Sequence, residues 1–129
     1  MTNGYNKISS IRKVLRLGSA IFGLSAVALT LTPGLFNALL GLENSLALEW
    51  SMRMTGITLV ALSGNMFAHA SRGSDKSVLL AARVMMPSAF ALGVLTLLIP
   101  VNLNWFTYLY AAVGFGFSAA YALFLLKKN

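Results

Sequence analysis

The chain contains no cysteine, one histidine and only three acidic residues among its 129 residues. Without cysteine it forms no disulfide, no thiolate nucleophile and no cysteine-based metal site. A single histidine cannot complete a four-ligand zinc site or a bis-histidine haem site within one chain. The sequence also lacks GxGxxG, a P-loop, HExxH and GxSxG. We therefore predict no metal site and no catalytic residues, and the sequence identifies no cofactor.

Charged residues are scarce as well, at 10% of the chain against 57% hydrophobic residues, and the mean hydropathy is +0.75. They are absent altogether from residues 17–42, 54–71 and 84–126. A soluble domain carries about 25% charged residues, whereas about 20 apolar residues form a helix that crosses a bilayer. We therefore predict an all-α integral membrane four-helix bundle that forms one domain. The predicted spans are residues 14–32, 50–70, 77–99 and 105–126.

The segments between the spans carry their own signals. Pro33-Gly34 and Pro100 end the first and third spans. Residues 34–49 place leucines at helical spacing, which predicts a short helix on the outer membrane surface, with a partly helical loop as the alternative. Residues 1–10 are polar and are expected to be frayed. Aromatic residues expected at the outer boundary are Trp50, Trp105, Tyr108 and Tyr110.

The net charge of +7 comes from cations that gather on one side of the predicted bundle. Arg53 is the exception. The others are Lys7, Arg12, Lys13, Arg16, Arg72, Lys76, Arg83, Lys127 and Lys128. This bias places both termini in the cytoplasm, and we expect the cytoplasmic (inner) membrane of a bacterium or archaeon. Aromatic residues do not alternate with the cations, so the predicted partner is the lipid bilayer and not a nucleic acid.

A possible internal repeat has an offset of 67 positions, as between Arg16 and Arg83. Pro33 and Asn37 match Pro100 and Asn104 in the same way. Because both copies run from the inner to the outer side, a true repeat predicts a pseudo-twofold axis along the membrane normal. The alternative is chance similarity between apolar spans.

Small residues recur along the fourth span, at Gly114, Gly116, Ser118 and Ala120. Rows of small residues let helix backbones approach closely in lipid. The row therefore predicts helix packing, either inside one bundle or against another membrane subunit or a second copy of the chain.

Five polar residues are candidates for a ligand or polar site. Glu49 and Arg53 lie four apart, which predicts an ion pair at the outer end or a site for a ligand or ion. Asn65 and His69 also share a helix face, and His69 is a hydrogen-bonding group or a proton carrier. Arg83 either extends back to the inner surface or enters the bundle and meets Asn65 or His69.

The stretch LTPGLFNALLGL followed by EWSMRMTGITLVALSGNMF is similar to small four-span bacterial membrane proteins of the DoxX-like kind. Four features carry the resemblance: Pro33 after span one, a leucine-rich outer segment, an aromatic residue followed by Arg53, and Gly56 in span two. The resemblance implies a four-span fold and an accessory role in membrane redox or sulfur metabolism. A thiol-dependent form of that role does not fit a chain without cysteine, and the resemblance assigns no functional residues.

Plentiful small residues and few reactive groups predict a non-catalytic accessory subunit that packs against other transmembrane helices in a larger complex. One alternative is a small oligomeric transporter or channel with Asn65, Arg83 and Glu49 facing a pore. Another is a binder or enzyme for an apolar ligand such as a quinone or lipid, with Arg83 and His69 as polar anchors. The sequence leaves the substrate and the identity of any partner open.

Overall fold

A computed structural model describes the backbone of residues 2–127 and the side chains of residues 7–127, so Lys128 lies outside the described part. The described backbone forms five α-helices and no strand. The helices are α1 Thr2–Leu31, α2 Pro33–Leu39, α3 Leu46–Arg72, α4 Asp75–Leu97 and α5 Trp105–Leu126. The all-α prediction is confirmed.

Three helices are long and apolar enough to cross a membrane. They cover Lys7–Leu31 within α1, Asp75–Leu97 and Trp105–Leu126. With 27 residues α3 is long enough too, but Asn65, His69 and several serines and threonines lower its hydropathy, and it is not in this group. The chain is therefore a helical membrane protein with three clear candidate spans.

The first helix begins much earlier than the predicted start at residue 14. Its backbone is helical from Thr2, so α1 includes residues 2–10 of the segment that the sequence predicted to be frayed. Ile11 is fully buried and Ile8 packs against the same cluster. The Lys7 ammonium group also binds the end of α5. These tertiary contacts hold a polar segment in a helix that its own composition does not favour.

The helix predicted over residues 34–49 is only the seven-residue α2. Gly41 follows it with φ of 76°, a left-handed conformation that glycine adopts at no steric cost. The side chain of Ser45 then accepts a hydrogen bond from the Leu48 amide at 3.1 Å and begins α3. The regularly spaced leucines therefore do not lie on one helix: the turn at Gly41 separates them, and Leu46 belongs to α3.

The four long helices form two antiparallel pairs. α1 packs along α3, and α4 packs along α5, whereas contacts between the pairs are fewer. In the first pair the Ser19 and Ser63 hydroxyls each donate to the other's backbone oxygen, at 3.0 and 2.7 Å. In the second pair Ser118 donates to the Met86 oxygen at 2.9 Å. We call the end with the α1 N-terminus the basic end and the opposite end, with α2, the far end.

The predicted repeat relates α1 to α4. Four pairs of positions at the repeat offset are buried in both helices: Ile11 and Val78, Leu15 and Ala82, Gly18 and Met85, and Ala26 and Gly93. The relation stops at the far end, where Pro33 begins α2 but Pro100 lies in a loop. The two copies therefore share a packing face along the helices and differ in their connections.

The main core lies toward the basic end. Its fully buried large side chains include Ile11, Leu15, Val78 and Tyr121. All four long helices contribute to this cluster, with Met66 from α3. The far end has no comparable cluster among the described residues, and this difference positions the site described next.

Candidate functional site

At the basic end, Arg12 joins α1 to the C-terminus of α3. Its guanidinium donates to the backbone oxygens of His69 at 3.2 Å, Ala70 at 3.0 Å and Gly73 at 2.7 Å. It also forms a salt bridge of 3.3 Å with Asp75, the first residue of α4. Helix C-termini leave carbonyl groups unpaired and carry partial negative charge, so a cation is favourable there. Arg12 therefore connects α1 to α3 and α4 at the basic end and pairs with carbonyl groups at the C-terminus of α3.

Lys7 does the same for α5, since its ammonium group donates to the oxygens of Leu125 at 3.0 Å and Lys127 at 3.1 Å. The sequence marked Lys7 and Arg12 only as topology signals, and their capping role emerges from the packing. The remaining described cations of the basic side are exposed: Lys13, Arg16, Arg72, Lys76, Arg83 and Lys127.

The predicted Glu49–Arg53 ion pair is absent from the described residues. Glu49 accepts a hydrogen bond from the Asn44 side chain at 2.7 Å. The Arg53 guanidinium lies over the Trp50 ring, 5.5 Å from its centroid, which is within cation–π range. Both residues are thus engaged locally at the far end.

The structure does not bring Asn65, His69 and Arg83 together. Asn65 is exposed and donates to the oxygen of Ala61, one turn back in its own helix, at 2.9 Å. The His69 Nδ1 atom is 2.7 Å from the Ser77 hydroxyl and links α3 to α4. Arg83 is exposed on α4 and does not enter the bundle to meet Asn65 or His69.

The small residues of α5 divide between two faces. A methyl group added at Gly114 would lie 2.9 Å from a backbone oxygen of α4, and Ser118 donates to Met86 of that helix. Gly116 faces outward, with nothing within 4 Å of such a methyl group. Ala120 is half-buried. Gly114 and Ser118 therefore pack inside the chain, and Gly116 leaves an outer face open.

A partly buried polar contact joins the two helix pairs toward the far end. The Tyr110 hydroxyl lies 2.5 Å from the hydroxyl of Ser25, whose residue is 6% exposed. The prediction that Tyr110 belongs to an outer aromatic belt is wrong, because its side chain points into the bundle and contacts Ser25. Trp50, Trp105 and Tyr108 are exposed at that end.

Two apolar clefts meet at the Ser25–Tyr110 contact. The first cleft has a volume of about 220 Å³ and lies between α3 and α4. Its walls include Phe22, Leu29, Phe36, Met52, Leu59 and Leu92. The second cleft, of about 350 Å³, lies between α1 and α5. Its walls include Ile21, Leu24, Ala28, Leu39, Phe106 and Leu109. Both clefts are partly open to the surroundings.

Polar groups in these clefts are few and satisfied within the protein. Thr55 and Thr96 line the first cleft, but each hydroxyl donates to the oxygen four residues back in its own helix. Ser25 and Tyr110 bind each other. The clefts thus offer an apolar surface with one central pair of hydroxyls, which suits a molecule that dissolves in lipid.

A smaller cavity of about 30 Å³ continues from the clefts toward the basic end. It shares Phe22, Ser25, Leu92 and Tyr110 with the first cleft, so the two spaces adjoin. Tyr121 lines this cavity, is fully buried, and has a hydroxyl with no hydrogen-bond partner among the described residues.

The sequence did not indicate Ser25, Tyr110 and Tyr121 as site residues, although it contains a signal for the two tyrosines. They are separated by about three helical turns, and residues three or four apart on a helix share a face. Gly114, Ser118 and Tyr121 are all buried on that face of α5. Polar residues on the face that also carries the small residues are expected to point into the bundle.

Comparison with protein-family models, curated proteins and solved structures finds no match to this chain. The resemblance to DoxX-like proteins therefore stays a prediction. Among the described residues, no group of three His, Asp or Glu side chains is placed to hold a metal ion.

Proposed function

We propose that the chain crosses the membrane four times, with α3 as the fourth span and both termini in the cytoplasm. α3 is 27 residues long, which corresponds to about 40 Å, more than the roughly 30 Å of a bilayer core. Its Thr55, Thr58 and Asn65 side chains donate within the helix, which lowers their cost in lipid. The exposed cations at the basic end favour the cytoplasmic side, here of a bacterial or archaeal inner membrane.

Labelling of single cysteines tests this topology, because the sequence has no cysteine of its own. We expect an impermeant maleimide to label Asn102→Cys in intact cells, whereas Ser9→Cys and Lys127→Cys react only after the membrane is opened. Labelling of positions 9 and 127 from opposite sides would contradict four spans.

Within this topology we propose that the protein binds an apolar, lipid-soluble molecule between its two helix pairs. The observation that carries the proposal is the pair of apolar clefts that meet at Ser25 and Tyr110. Helix pairs that touched along their full length would leave no such space. Apolar walls with a few placed polar groups are typical of small-molecule sites. In a membrane, the clefts are within reach of molecules dissolved in the lipid.

Tryptophan substitutions that fill the clefts test this function. Ala28→Trp places a large ring in the second cleft, and Thr96→Trp places one in the first. We expect wild-type protein in mild detergent to carry a co-purified apolar molecule, detected by mass spectrometry of its organic extract, and both variants to lose most of it. Ala112→Trp, on the exposed face of α5, is the matched control and should retain it. Equal recovery from all four proteins would overturn the proposal.

A second candidate function, an accessory subunit of a larger complex, is supported by the open small-residue surface. Gly64 on α3 and Gly116 on α5 both face outward, with nothing within 4 Å of an added methyl group. Such positions allow close approach of another helix. Co-elution of unrelated membrane chains that Gly116→Leu abolishes would support this role, and a chain that elutes alone or only with copies of itself would contradict it.

A pore within one chain is not favoured by the placement of the polar residues. Glu49 and Asn65 are separated by more than four turns of α3, and Asn65 and Arg83 are both exposed on different helices. A transporter or channel would need several copies to bring these residues to one path.

A further inference from the structure

Three buried side-chain oxygen atoms have no hydrogen-bond partner among the described residues, those of Thr30, Asn37 and Tyr121. Of these residues, Tyr121 lines the cavity. Tyr121 is fully buried in the core cluster with Met66 and Met85, where phenylalanine would give the same apolar contacts. A buried hydroxyl without a partner is costly. Tyr121 lines the small cavity, and this cavity adjoins the first cleft at Ser25 and Tyr110.

The other hydroxyl groups around these spaces are already engaged. Thr55 and Thr96 bind their own helices, and Ser25 binds Tyr110. Among the described residues that line the cavity and the clefts, Tyr121 therefore carries the one hydroxyl free to receive a polar group of a ligand.

We propose that Tyr121 binds the single neutral oxygen function, a hydroxyl or carbonyl, at the end of a long apolar molecule whose chain leaves the cavity through the first cleft. This inference rests on the proposed function and names the class of its ligand. The cavity of about 30 Å³ has room for a group of roughly the size of a water molecule. It has no room for a ring or a phosphate.

The uncharged lining of the cavity also restricts the chemical class of the ligand. The residues that line the cavity include no charged side chain. An ionised carboxylate or ammonium group placed there would be buried without a counter-ion, which is strongly unfavourable. A long-chain alcohol, aldehyde or ketone fits these conditions, whereas a fatty acid anion or a phospholipid headgroup does not.

The test uses photo-crosslinking to the full chain reconstituted in lipid nanodiscs. The probe is hexadecanol with a diazirine close to its hydroxyl group, competed with hexadecanol, hexadecane or palmitate. We expect labelled peptides to contain Met66 or Met85, which line the cavity beside Tyr121. We also expect hexadecanol to compete about tenfold better than either other compound, the effect of roughly one buried hydrogen bond.

Tyr121→Phe removes the hydroxyl and keeps the ring. We expect this variant to lose the tenfold preference for hexadecanol over hexadecane while hexadecane competes as before. Tyr108→Phe, on the exposed face of the same helix, is the matched control and should keep the preference. A thermal unfolding measurement without probe accompanies both variants, and Tyr121→Phe should unfold at the same or a higher temperature because no hydrogen bond is lost.

The outcomes separate this inference from the proposed function. If hexadecane and hexadecanol compete equally in the wild type, or if Tyr121→Phe keeps the preference, the clefts bind apolar molecules but Tyr121 does not select their oxygen group. If palmitate competes as well as hexadecanol, the restriction to neutral groups is wrong. If no compound displaces the probe and Ala28→Trp and Thr96→Trp label like the wild type, both proposals fail.

Discussion

The two halves of the bundle are held together by different kinds of contact. Toward the basic end, side chains of all four long helices form one buried cluster, and Arg12 and Lys7 bind the C-termini of α3 and α5. Toward the far end, the contacts are the Ser25–Tyr110 hydroxyl pair, a hydrogen bond from Asn104 to the Leu39 oxygen and edge-on packing of Phe36 against α5, and apolar clefts remain beside them.

The difference shows what cations contribute to a membrane bundle. Lipid gives apolar side chains little reason to prefer each other, so helix association depends on close packing and hydrogen bonds. Arginine and lysine can bind unpaired carbonyl groups only near helix ends, where water and headgroups reach them. At the far half the Arg53 guanidinium lies over the Trp50 ring. The helix pairs are joined there by hydroxyl, amide and aromatic contacts, and clefts remain between them.

Replacing Arg12 should have the largest effect on stability among these predictions, because it removes contacts that only the basic half has. Arg12→Ala removes three hydrogen bonds to the C-terminus of α3 and one salt bridge. We expect a loss of about 3 kcal/mol in the free energy of unfolding, since bonds to charged groups are stronger than neutral ones. Chemical unfolding in detergent, followed by circular dichroism, measures it. Lys13→Ala, an exposed neighbour, is the control and should change little, and equal effects of both variants would argue against the capping role.

Alanine substitutions at Gly114 and Gly116 distinguish packing between helices of this chain from packing against another chain. Gly114→Ala forces a methyl group to within 2.9 Å of an α4 backbone oxygen, and we expect a loss of about 2 kcal/mol in the free energy of unfolding, as for other overpacked sites.

Gly116→Ala meets nothing within 4 Å. It should stabilise the isolated chain by up to about 1 kcal/mol, because alanine favours a helix over glycine. The same unfolding measurement compares the two variants, and a destabilising Gly116→Ala would mean that this face is covered by a second copy in the sample.

The hydroxyl pair of the far half should contribute less than Arg12 does. Tyr110→Phe and Ser25→Ala each remove the hydrogen bond between the two hydroxyl groups that joins α1 to α5 there. We expect each to lower the free energy of unfolding by about 1 kcal/mol, the typical net value of a neutral hydrogen bond. The double variant should lose little more than either single variant. Additive losses would show that the two hydroxyls do not bind each other.

Asn65 gives the smallest expected effect and tests the outer face. Its side chain is exposed and binds its own helix, so Asn65→Ala should leave the stability of the isolated chain within about 0.5 kcal/mol of the wild type. Chemical unfolding in detergent measures this, with Thr58→Ala, which also binds its own helix, as the matched control. A large loss would indicate that Asn65 reaches another chain.

The long apolar helices could be predicted from the sequence, but the start of α1, the extent of α2 and the site could not. α5 covers the predicted range of residues 105–126, because long apolar stretches without charge have few other structures open to them. The polar candidates Glu49, Asn65, His69 and Arg83 could be named, yet the structure places them at separate points. For these four residues the direction of the side chain depends on the neighbouring helices, whereas on α5 the spacing of the buried Gly114, Ser118 and Tyr121 does mark the inward face.

By itself the sequence determined an all-helical membrane protein with all but one of its cations on one side, since charge and apolar length are properties of the chain. Only the tertiary structure decided that α1 pairs with α3 and α4 with α5, that Tyr110 turns inward to Ser25, and that clefts remain between the pairs. The reason is physical: in lipid, the partners of a helix are chosen by close contacts between small groups and by single hydrogen bonds, and these exist only once the helices lie side by side.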